Sequence, residues 1–308
     1  MSYLAIVDLG SNSLRVVVEE IHDDGTHDEI MREKQDTRIA QGMGEELLLK
    51  EEPIMRTIRA LKAFQKLYAH YQPLTVKAIT TAAVRMAHNQ AMFLSRVAQE
   101  TGIMFEVLTG DQEAYYDYLG VVTTLDVQNA TILDTGGASV ELIPVAGGRH
   151  LATVSLPFGA VSLSERFHLE NQAQLNDISA ACGYILSQYA TLPWLAHQKG
   201  LPVILLGGAN RSLARMSRQQ FGEENIEQIH GYELPFETVE LIFDALCQLS
   251  RYERENIVGL EKSRADIIVS GLLPLVNLMR TLQSPKVIFS ESGVREGIIA
   301  ELLSYRHE

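Results

Sequence analysis

Two short loops rich in glycine and hydroxyl residues, each directly after an apolar run, constrain the fold more than any other feature. Residues 8–13 read DLGSNS, and residues 134–139 read DTGGAS. In both, an Asp ends the apolar run, small residues allow a tight turn, and a second β-rich run follows. Main-chain N–H groups in such a loop can bind an anion, and the Asp can bind a cation. The pair predicts two copies of one domain with a cleft between them for a phosphate chain and its metal.

The order of elements repeats in the two halves of the chain. Three β-rich runs open each half, and strands that alternate with helical periodicities follow. This order predicts an α/β fold and resembles the ribonuclease H-like domains of the actin, sugar kinase and Hsp70 type. The resemblance implies a mixed five-stranded sheet flanked by helices in each domain. We place the domains at residues 1–125 and 126–308 and leave open that the last helix packs back on the first domain.

The bulk composition narrows the class of protein. The 308-residue chain carries a formal net charge of −13, which argues against nucleic-acid or membrane-surface binding because both need a basic face. Cys182 and Cys247 are isolated, and the N-terminus has no basic-then-apolar leader. No apolar run reaches the roughly 18 residues of a membrane span. We therefore expect a cytoplasmic enzyme with reduced thiols, and leave open whether it forms a homodimer.

Six sequence blocks occur in the order typical of one enzyme family. They are DLGSNS (8–13), TAAVR (81–85) with Asn89, GDQEA (110–114), DTGGASVEL (134–142), LPFGAV (156–161) and SGVREG (292–297). Together they resemble the Ppx/GppA phosphatase family, which comprises exopolyphosphatases and guanosine pentaphosphate phosphohydrolases. Two positions depart from the family pattern, because Ala138 replaces a third glycine and Gln112 replaces the first acid of a doublet. We expect a two-domain form without the HD-type C-terminal domain of longer members.

The resemblance places the catalytic glutamate of the family at Glu113. This residue lies in the first turn of a predicted helix, where the helix dipole favours an ionised carboxylate. An ionised carboxylate can accept a proton from water, so Glu113 is the candidate general base. Arg85 is the candidate phosphate clamp, because a guanidinium binds two oxygens of an oxyanion. Each also has an ordinary structural explanation, since Glu is common in first helical turns and a surface Arg usually forms an ion pair.

The same resemblance implies a metal and phosphate site. Asp134, Glu141 and Asp8 are the candidate ligands of Mg²⁺ or another divalent cation, which prefers carboxylate oxygens. An Asp that caps a turn and a Glu that points outward from a strand are the alternatives for these residues. The candidate phosphate-binding residues share small or hydroxyl side chains in the two loops, and are Ser11, Asn12, Ser13, Gly136, Gly137, Ala138 and Ser139.

These residues together lead to a hypothesis of phosphoanhydride hydrolysis. The preferred substrate is inorganic polyphosphate, and the alternative is guanosine pentaphosphate (pppGpp), whose 5′ end carries the same kind of bond. A sugar or acetate kinase-like phosphotransferase is a more distant alternative. A sensor that binds the alarmone or polyphosphate without turnover is a fourth reading, since Ala138 and the lost acidic doublet leave it open.

Overall fold

The computed structural model describes residues 2–304, and these form two compact units. The first unit contains the chain up to Thr109 together with the segment that begins at Ile299, and the second unit is Gly110–Ile298. This division places the helix Gly110–Val122 in the second unit. The domain boundary between residues 125 and 126 stays a prediction.

The first unit is built on a five-stranded mixed sheet. Its elements are β1 (Ser2–Leu9), β2 (Leu14–Ile21), β3 (His27–Gln35), α1 (Glu51–Tyr68), β4 (Leu74–Thr80), α2 (Ala82–Met86), α3 (Gln90–Thr101) and β5 (Glu106–Val107). The strand order is β3-β2-β1-β4-β5, in which β1 runs antiparallel to β2 and parallel to β4. The middle of β1 is fully buried, as its continuous apolar run predicts for a central strand.

Helix α1 shows how the sequence fixes an element of this unit. Ile54, Ile58, Leu61 and Phe64 recur at helical spacing and are all buried. Pro53 lies in the first turn, where its missing N–H has no intrahelical partner to lose. The predicted helix is therefore confirmed, with its hydrophobic face packed on the sheet side of the unit.

The second unit repeats this plan with more elements. They are α4 (Gly110–Val122), β6 (Asn129–Thr135), β7 (Val140–Ala146), β8 (Arg149–His150), β9 (Val154–Leu156), α5 (Ala160–Phe167), α6 (Leu175–Tyr189), β10 (Val203–Leu206), α7 (Gly208–Gln220), β11 (Glu233–Pro235), α8 (Phe236–Gln248), α9 (Arg251–Arg254), α10 (Ile268–Leu282), β12 (Lys286–Phe289) and the start of α11 (Val294–Ser304), whose residues from Ile299 on belong to the first unit. Two 3-10 helices lie at Pro193–Gln198 and Lys262–Arg264.

The sheet of the second unit has the order β11-β12-β10-β6-β7-β8, and β9 also pairs with β7. The five positions β8-β7-β6-β10-β12 correspond to β3-β2-β1-β4-β5 of the first unit, with the same antiparallel and parallel neighbours of the central strand. The predicted duplicated α/β architecture is therefore confirmed. The second sheet has seven strands instead of five, because the predicted strand 149–156 is divided at residues 151–153 and because β11 adds an edge.

Helix α10 forms the centre of the second unit's core. Nearly all of its side chains are buried, and it packs against α5, α6, α7 and α8. Next to it lies Arg254, which is fully buried and donates hydrogen bonds to the carbonyl oxygens of Leu246, Leu249, Ala265 and Asn171. These bonds connect α9 to the end of α8 and to the chain at residues 171 and 265.

Within residues 2–304, no helix combines the length and the apolarity that crossing a bilayer requires.

Candidate functional site

The two glycine-rich loops close with the same hydrogen bond. In the first loop (residues 10–13, between β1 and β2), the Gly10 N–H donates to the Ser13 carbonyl at 3.0 Å. In the second loop (residues 136–139, between β6 and β7), the Gly136 N–H donates to the Ser139 carbonyl at 3.0 Å. The two loops are therefore equivalent in backbone structure as well as in sequence position.

The carbonyl groups of the second loop are held by the start of helix α5. The Ala160 N–H donates to the Gly136 oxygen at 2.9 Å, and the Val161 N–H donates to the Gly137 oxygen at 2.8 Å. Because a trans peptide is planar, its N–H points opposite to its C=O. The N–H groups of Gly137 and Ala138 therefore point away from α5. Two successive N–H groups on one side of a loop form a site for an anion.

Gly159 allows α5 to approach the second loop this closely. A Cβ atom at this position would lie 2.6 Å from the Gly136 oxygen, 2.7 Å from the Gly137 carbonyl carbon and 2.8 Å from the Ala138 nitrogen. Real Cβ contacts are not found at such distances, so any larger residue would push the loop away from the helix. The block LPFGAV thus orients the second loop, which the sequence did not reveal.

The first loop is held in the same way by a different segment. The Ala40 N–H donates to the Ser11 oxygen at 3.0 Å, and the Arg38 N–H donates to the Asn12 oxygen at 2.8 Å. The N–H groups of Asn12 and Ser13 therefore point away from that segment. Arg38 adopts a left-handed backbone conformation, φ 48°, which is strained for a residue with a side chain.

Asn12 adds a buried amide to the first loop. Its side chain is 8% exposed, and within residues 2–304 neither its Nδ2 nor its Oδ1 atom has a hydrogen-bond partner. A buried amide without partners is costly, so these atoms are suited to a ligand. The predicted phosphate contacts of Ser11, Asn12 and Ser13 stay predictions, now with a backbone geometry that favours them.

Three carboxylates meet beside the second loop and form what we call the carboxylate cluster. Asp117 on α4, Asp134 at the end of β6 and Glu141 on β7 each place an oxygen within 4.8 Å of the others. Asp134 and Glu141 are directly opposite each other in the antiparallel pair β6–β7, where like charges destabilise a sheet. Asp117 and Glu141 are fully buried, so their charges have little solvent to stabilise them.

Burial and mutual repulsion perturb the titration of this cluster. Burial raises the pKa of the Asp117 carboxyl well above its ordinary value, and the charges of Asp134, Glu141 and Glu113 raise it further. Burial likewise raises the pKa of Glu141, with Glu113 and Asp134 as additional causes, while the hydroxyl of Ser155 lowers it. The metal-free protein therefore favours protonated carboxyls here, whereas a cation would favour the ionised forms.

The hydrogen bonds of the cluster leave several buried oxygens for a cation. Ser155 Oγ donates to Glu141 Oε1 at 2.7 Å. Within residues 2–304, Glu141 Oε2 and both Asp117 oxygens have no hydrogen bond of ordinary geometry, although the Val294 N–H lowers the pKa of Asp117. Buried carboxylate oxygens in this arrangement are the ligands that Mg²⁺ and similar ions prefer. The residues present therefore fit a divalent cation.

Glu113 lies at the same cluster, one helical turn before Asp117. It is 7% exposed, and its charge acts on both Asp117 and Glu141. Gly110, the first residue of α4, packs directly on Ser155, and any Cβ at Gly110 would overlap the Cβ of that serine. This close contact sets the first turn of α4, and with it Glu113, against the strands that carry the cluster.

The second unit thus brings together Glu113, Asp134, Glu141 and the loop Gly136, Gly137, Ala138 and Ser139. Ala138 is 3% exposed, and the residues with a positive φ in the described chain do not include it, so its methyl group is accommodated. The sequence analysis missed Asp117. Its spacing of four residues from Glu113 places both acids on one helical face, a signal available in the sequence.

The remaining predicted residues lie in the first unit. Asp8 is near the end of β1, opposite Arg15 on β2. Arg85 is on α2, and its Nη1 donates to the Leu108 carbonyl at 2.8 Å. This bond fixes one side of the guanidinium. The metal role of Asp8 and the phosphate role of Arg85 stay predictions.

Comparison with known proteins identifies the family. Residues 17–306 match the model of the Ppx/GppA phosphatase family. This chain belongs to that family. The Ppx/GppA chain is 28% identical over 302 residues to the guanosine-5'-triphosphate,3'-diphosphate pyrophosphatase of Vibrio vulnificus, which covers 97% of this chain and 59% of that protein. It is also 28% identical to the bifunctional 3-dehydroquinate synthase/phosphatase of Fusobacterium nucleatum, covering 96% of this chain and 46% of that protein. The chain thus spans about half the length of these curated relatives.

Solved structures agree with the fold. The Aquifex aeolicus member of the Ppx/GppA family matches with a TM-score of 0.79 and 28% identity, over 100% of this chain and 99% of that chain. An exopolyphosphatase from Cytophaga hutchinsonii matches with a TM-score of 0.91 and 23% identity, over 99% and 98% of the two chains. The predicted duplicated fold, with a mixed sheet flanked by helices in each unit, is confirmed.

Proposed function

We propose that this Ppx/GppA chain hydrolyses the terminal phosphoanhydride bond of inorganic polyphosphate and releases orthophosphate. The observation that carries the proposal is the position of Glu113, buried against the carboxylate cluster in the unit that also contains the second loop. A general base, a cation site and an anion site in one unit are the parts that phosphoryl transfer to water needs.

The residues suggest the following reaction. Glu113 accepts a proton from a water molecule, and the oxygen of that water attacks the terminal phosphorus. The bond from this phosphorus to the bridging oxygen breaks, and the shortened chain leaves with that oxygen as part of its new terminal phosphate. The N–H groups of Gly137 and Ala138 hold phosphate oxygens while the charge is redistributed.

The carboxylate cluster would hold a divalent cation, with Asp134 and Glu141 as the ligands predicted from sequence. When bound, such an ion offsets negative charge on the phosphate oxygens and on the carboxylates themselves. This matters in a chain of net charge −13 whose substrate is a polyanion. Asp8 as a further ligand, Arg85 as a clamp, and Ser11, Asn12, Ser13 and Ser139 as phosphate contacts belong to the same proposal.

A second candidate substrate is pppGpp. Two Vibrio relatives, at 28% and 29% identity, are named guanosine-5'-triphosphate,3'-diphosphate pyrophosphatases. Both substrates end in a phosphoanhydride, so the residues above would serve either reaction. The choice depends on how the chain binds the part of the substrate beyond its first phosphates.

Phosphate release from long polyphosphate, tripolyphosphate and pppGpp, assayed in parallel with Mg²⁺ and with EDTA, tests the proposal. We expect the fastest Mg²⁺-dependent release from polyphosphate. Faster release from pppGpp favours the second candidate. Substrate consumption that needs a sugar or acetate acceptor and releases no phosphate would indicate a phosphotransferase, and tight binding without consumption would indicate a sensor.

The role of Glu113 has a direct test. Glu113→Gln keeps the shape of the side chain but cannot accept the proton, so turnover should fall by about 10²-fold or more. Asp111→Asn is the matched control, because it removes an exposed carboxylate from the same helical turn. Turnover within a few-fold of the unmodified protein in Glu113→Gln would remove Glu113 from the mechanism.

A further inference from the structure

Asp117 is one of the two fully buried members of the carboxylate cluster, and the reaction described above does not need it. Its side chain is fully buried on α4, next to the start of α11, where a Cβ at Gly293 would lie 3.0 Å from Asp117 Oδ1. Asp134, by contrast, is partly exposed. The cluster is therefore closed to solvent on the side of Asp117 and partly open on the side of Asp134.

A structural role as a helix cap accounts for at most one of the two Asp117 oxygens. The Val294 N–H, the first of α11, acts on Asp117 and lowers its pKa, whereas the preceding Gly293 N–H is already bound by Glu296 Oε2 at 2.8 Å. Within the described residues 2–304, neither oxygen of Asp117 has a hydrogen bond of ordinary geometry. A buried carboxylate with unsatisfied oxygens destabilises a fold, so its presence beside two further carboxylates calls for a counter-charge.

The number of protein ligands decides when a cation can bind. Mg²⁺ is usually bound through one or two carboxylates and completes its coordination with water and substrate phosphates. Asp134 and Glu141 alone would provide a site of that kind. Asp117 is a third carboxylate, buried and within 4.8 Å of the other two. Its negative charge is available to a cation even when no substrate phosphate is present.

We propose that Asp117 makes the carboxylate cluster a site that binds a divalent cation in the absence of any phosphate, so that the ion belongs to the resting protein. The inference rests on the proposed function only for the location of the reaction. It predicts a cation that links α4, β6 and β7 before substrate binds.

The test compares Asp117→Asn with the unmodified chain, without phosphate or substrate. Both proteins are stripped with EDTA, dialysed, and titrated with MnCl₂ and MgCl₂ by isothermal titration calorimetry and by thermal unfolding. We expect the unmodified chain to bind one ion and to gain thermal stability. Asp117→Asn should bind at least about tenfold more weakly. Its metal-free form should unfold at a higher temperature, by on the order of 2–4 °C, because a neutral amide cannot be repelled by the two neighbouring carboxylates.

Asp111→Asn is the matched control, since it removes an exposed carboxylate from the same helix and should change neither quantity. Equal ion affinity in Asp117→Asn, or a metal-free form less stable than the unmodified chain or unable to fold, would overturn the inference. An unmodified chain that binds Mn²⁺ and Mg²⁺ only after phosphate is added would also overturn it. Ion binding as predicted without phosphate release from any substrate would refute the proposed function and leave this inference standing.

Discussion

Replacing Gly159 by alanine tests whether helix α5 orients the second loop. The added Cβ would lie 2.6 Å from the Gly136 oxygen, whereas ordinary contacts begin at 3.4 Å. The loop and the helix would have to separate by about 0.8 Å. Three backbone atoms are too close and none is the end of a flexible side chain, so rotation of a side chain cannot relieve the overlap.

The size of the effect follows from this displacement. Overpacking of this kind costs about 1–3 kcal/mol of the free energy of unfolding. A shift approaching 1 Å in groups that position a substrate can lower the rate about 10²-fold. The hydrogen bonds from Ala160 to Gly136 and from Val161 to Gly137 would lengthen, and the N–H groups of Gly137 and Ala138 would lose their fixed direction.

Urea unfolding and phosphate release measure the two effects on the same preparation. Gly183→Ala on α6 is the matched control, because a Cβ there meets nothing within 4 Å. In a helix interior this change should stabilise the protein by about 0.5–1 kcal/mol and leave turnover unchanged. If Gly159→Ala matched the unmodified protein in both stability and turnover, the argument that α5 holds the second loop would be refuted.

Three further predictions concern buried polar groups. Ser155→Ala removes the donor to Glu141 Oε1 and should weaken Mn²⁺ binding about tenfold in calorimetry, whereas Thr153→Val should not. In EDTA, the free energy of unfolding should fall as pH rises above about 4, because the raised pKa values of Asp117 and Glu141 let the folded chain keep protons that the unfolded chain releases. Arg254→Met removes the hydrogen bonds that Arg254 donates to four carbonyl groups and should cost about 3 kcal/mol or more in urea unfolding.

Each of these has an outcome that contradicts it. Unchanged Mn²⁺ affinity in Ser155→Ala would mean that Glu141 is oriented by its other neighbours. The pH dependence should be shallower in Asp117→Asn, and an identical slope would show that Asp117 does not titrate differently in the two states. A loss below about 1 kcal/mol in Arg254→Met would show that water satisfies the carbonyl groups.

The repeated backbone plan was predictable because local patterns determine it. The apolar runs before Asp8 and Asp134 are long enough to specify buried central strands, and the glycine and hydroxyl residues after them specify tight loops. The strand predicted at residues 149–156 was wrong in its continuity. Residues 151–153 do not form a strand, although the Leu151 N–H donates to the Pro144 carbonyl of β7, and Val154–Leu156 pairs with β7 so that Ser155 lies opposite Glu141.

The inner part of the site was not predictable by the usual rules. The buried face of α4 includes Glu113, Ala114, Asp117, Gly120 and Val121, so two acids occupy positions that periodicity assigns to apolar residues. A helix read by hydrophobicity alone therefore hides its functional face. The contact of Gly159 with the second loop joins residues more than twenty positions apart. Hydrophobic periodicity reports only neighbours along one element, so it cannot predict such a contact.

The direction of the N–H groups in the two loops separates capture of phosphate from its hydrolysis. Capture would depend mainly on main-chain atoms whose orientation is fixed by hydrogen bonds from residues 38–40 and 160–161, and loop side chains such as that of Asn12 would add contacts. Water activation would depend on a single side chain, Glu113. A descendant that lost this one carboxylate would keep an intact receptor for phosphate chains, and the route from enzyme to sensor in this lineage would be a single substitution long.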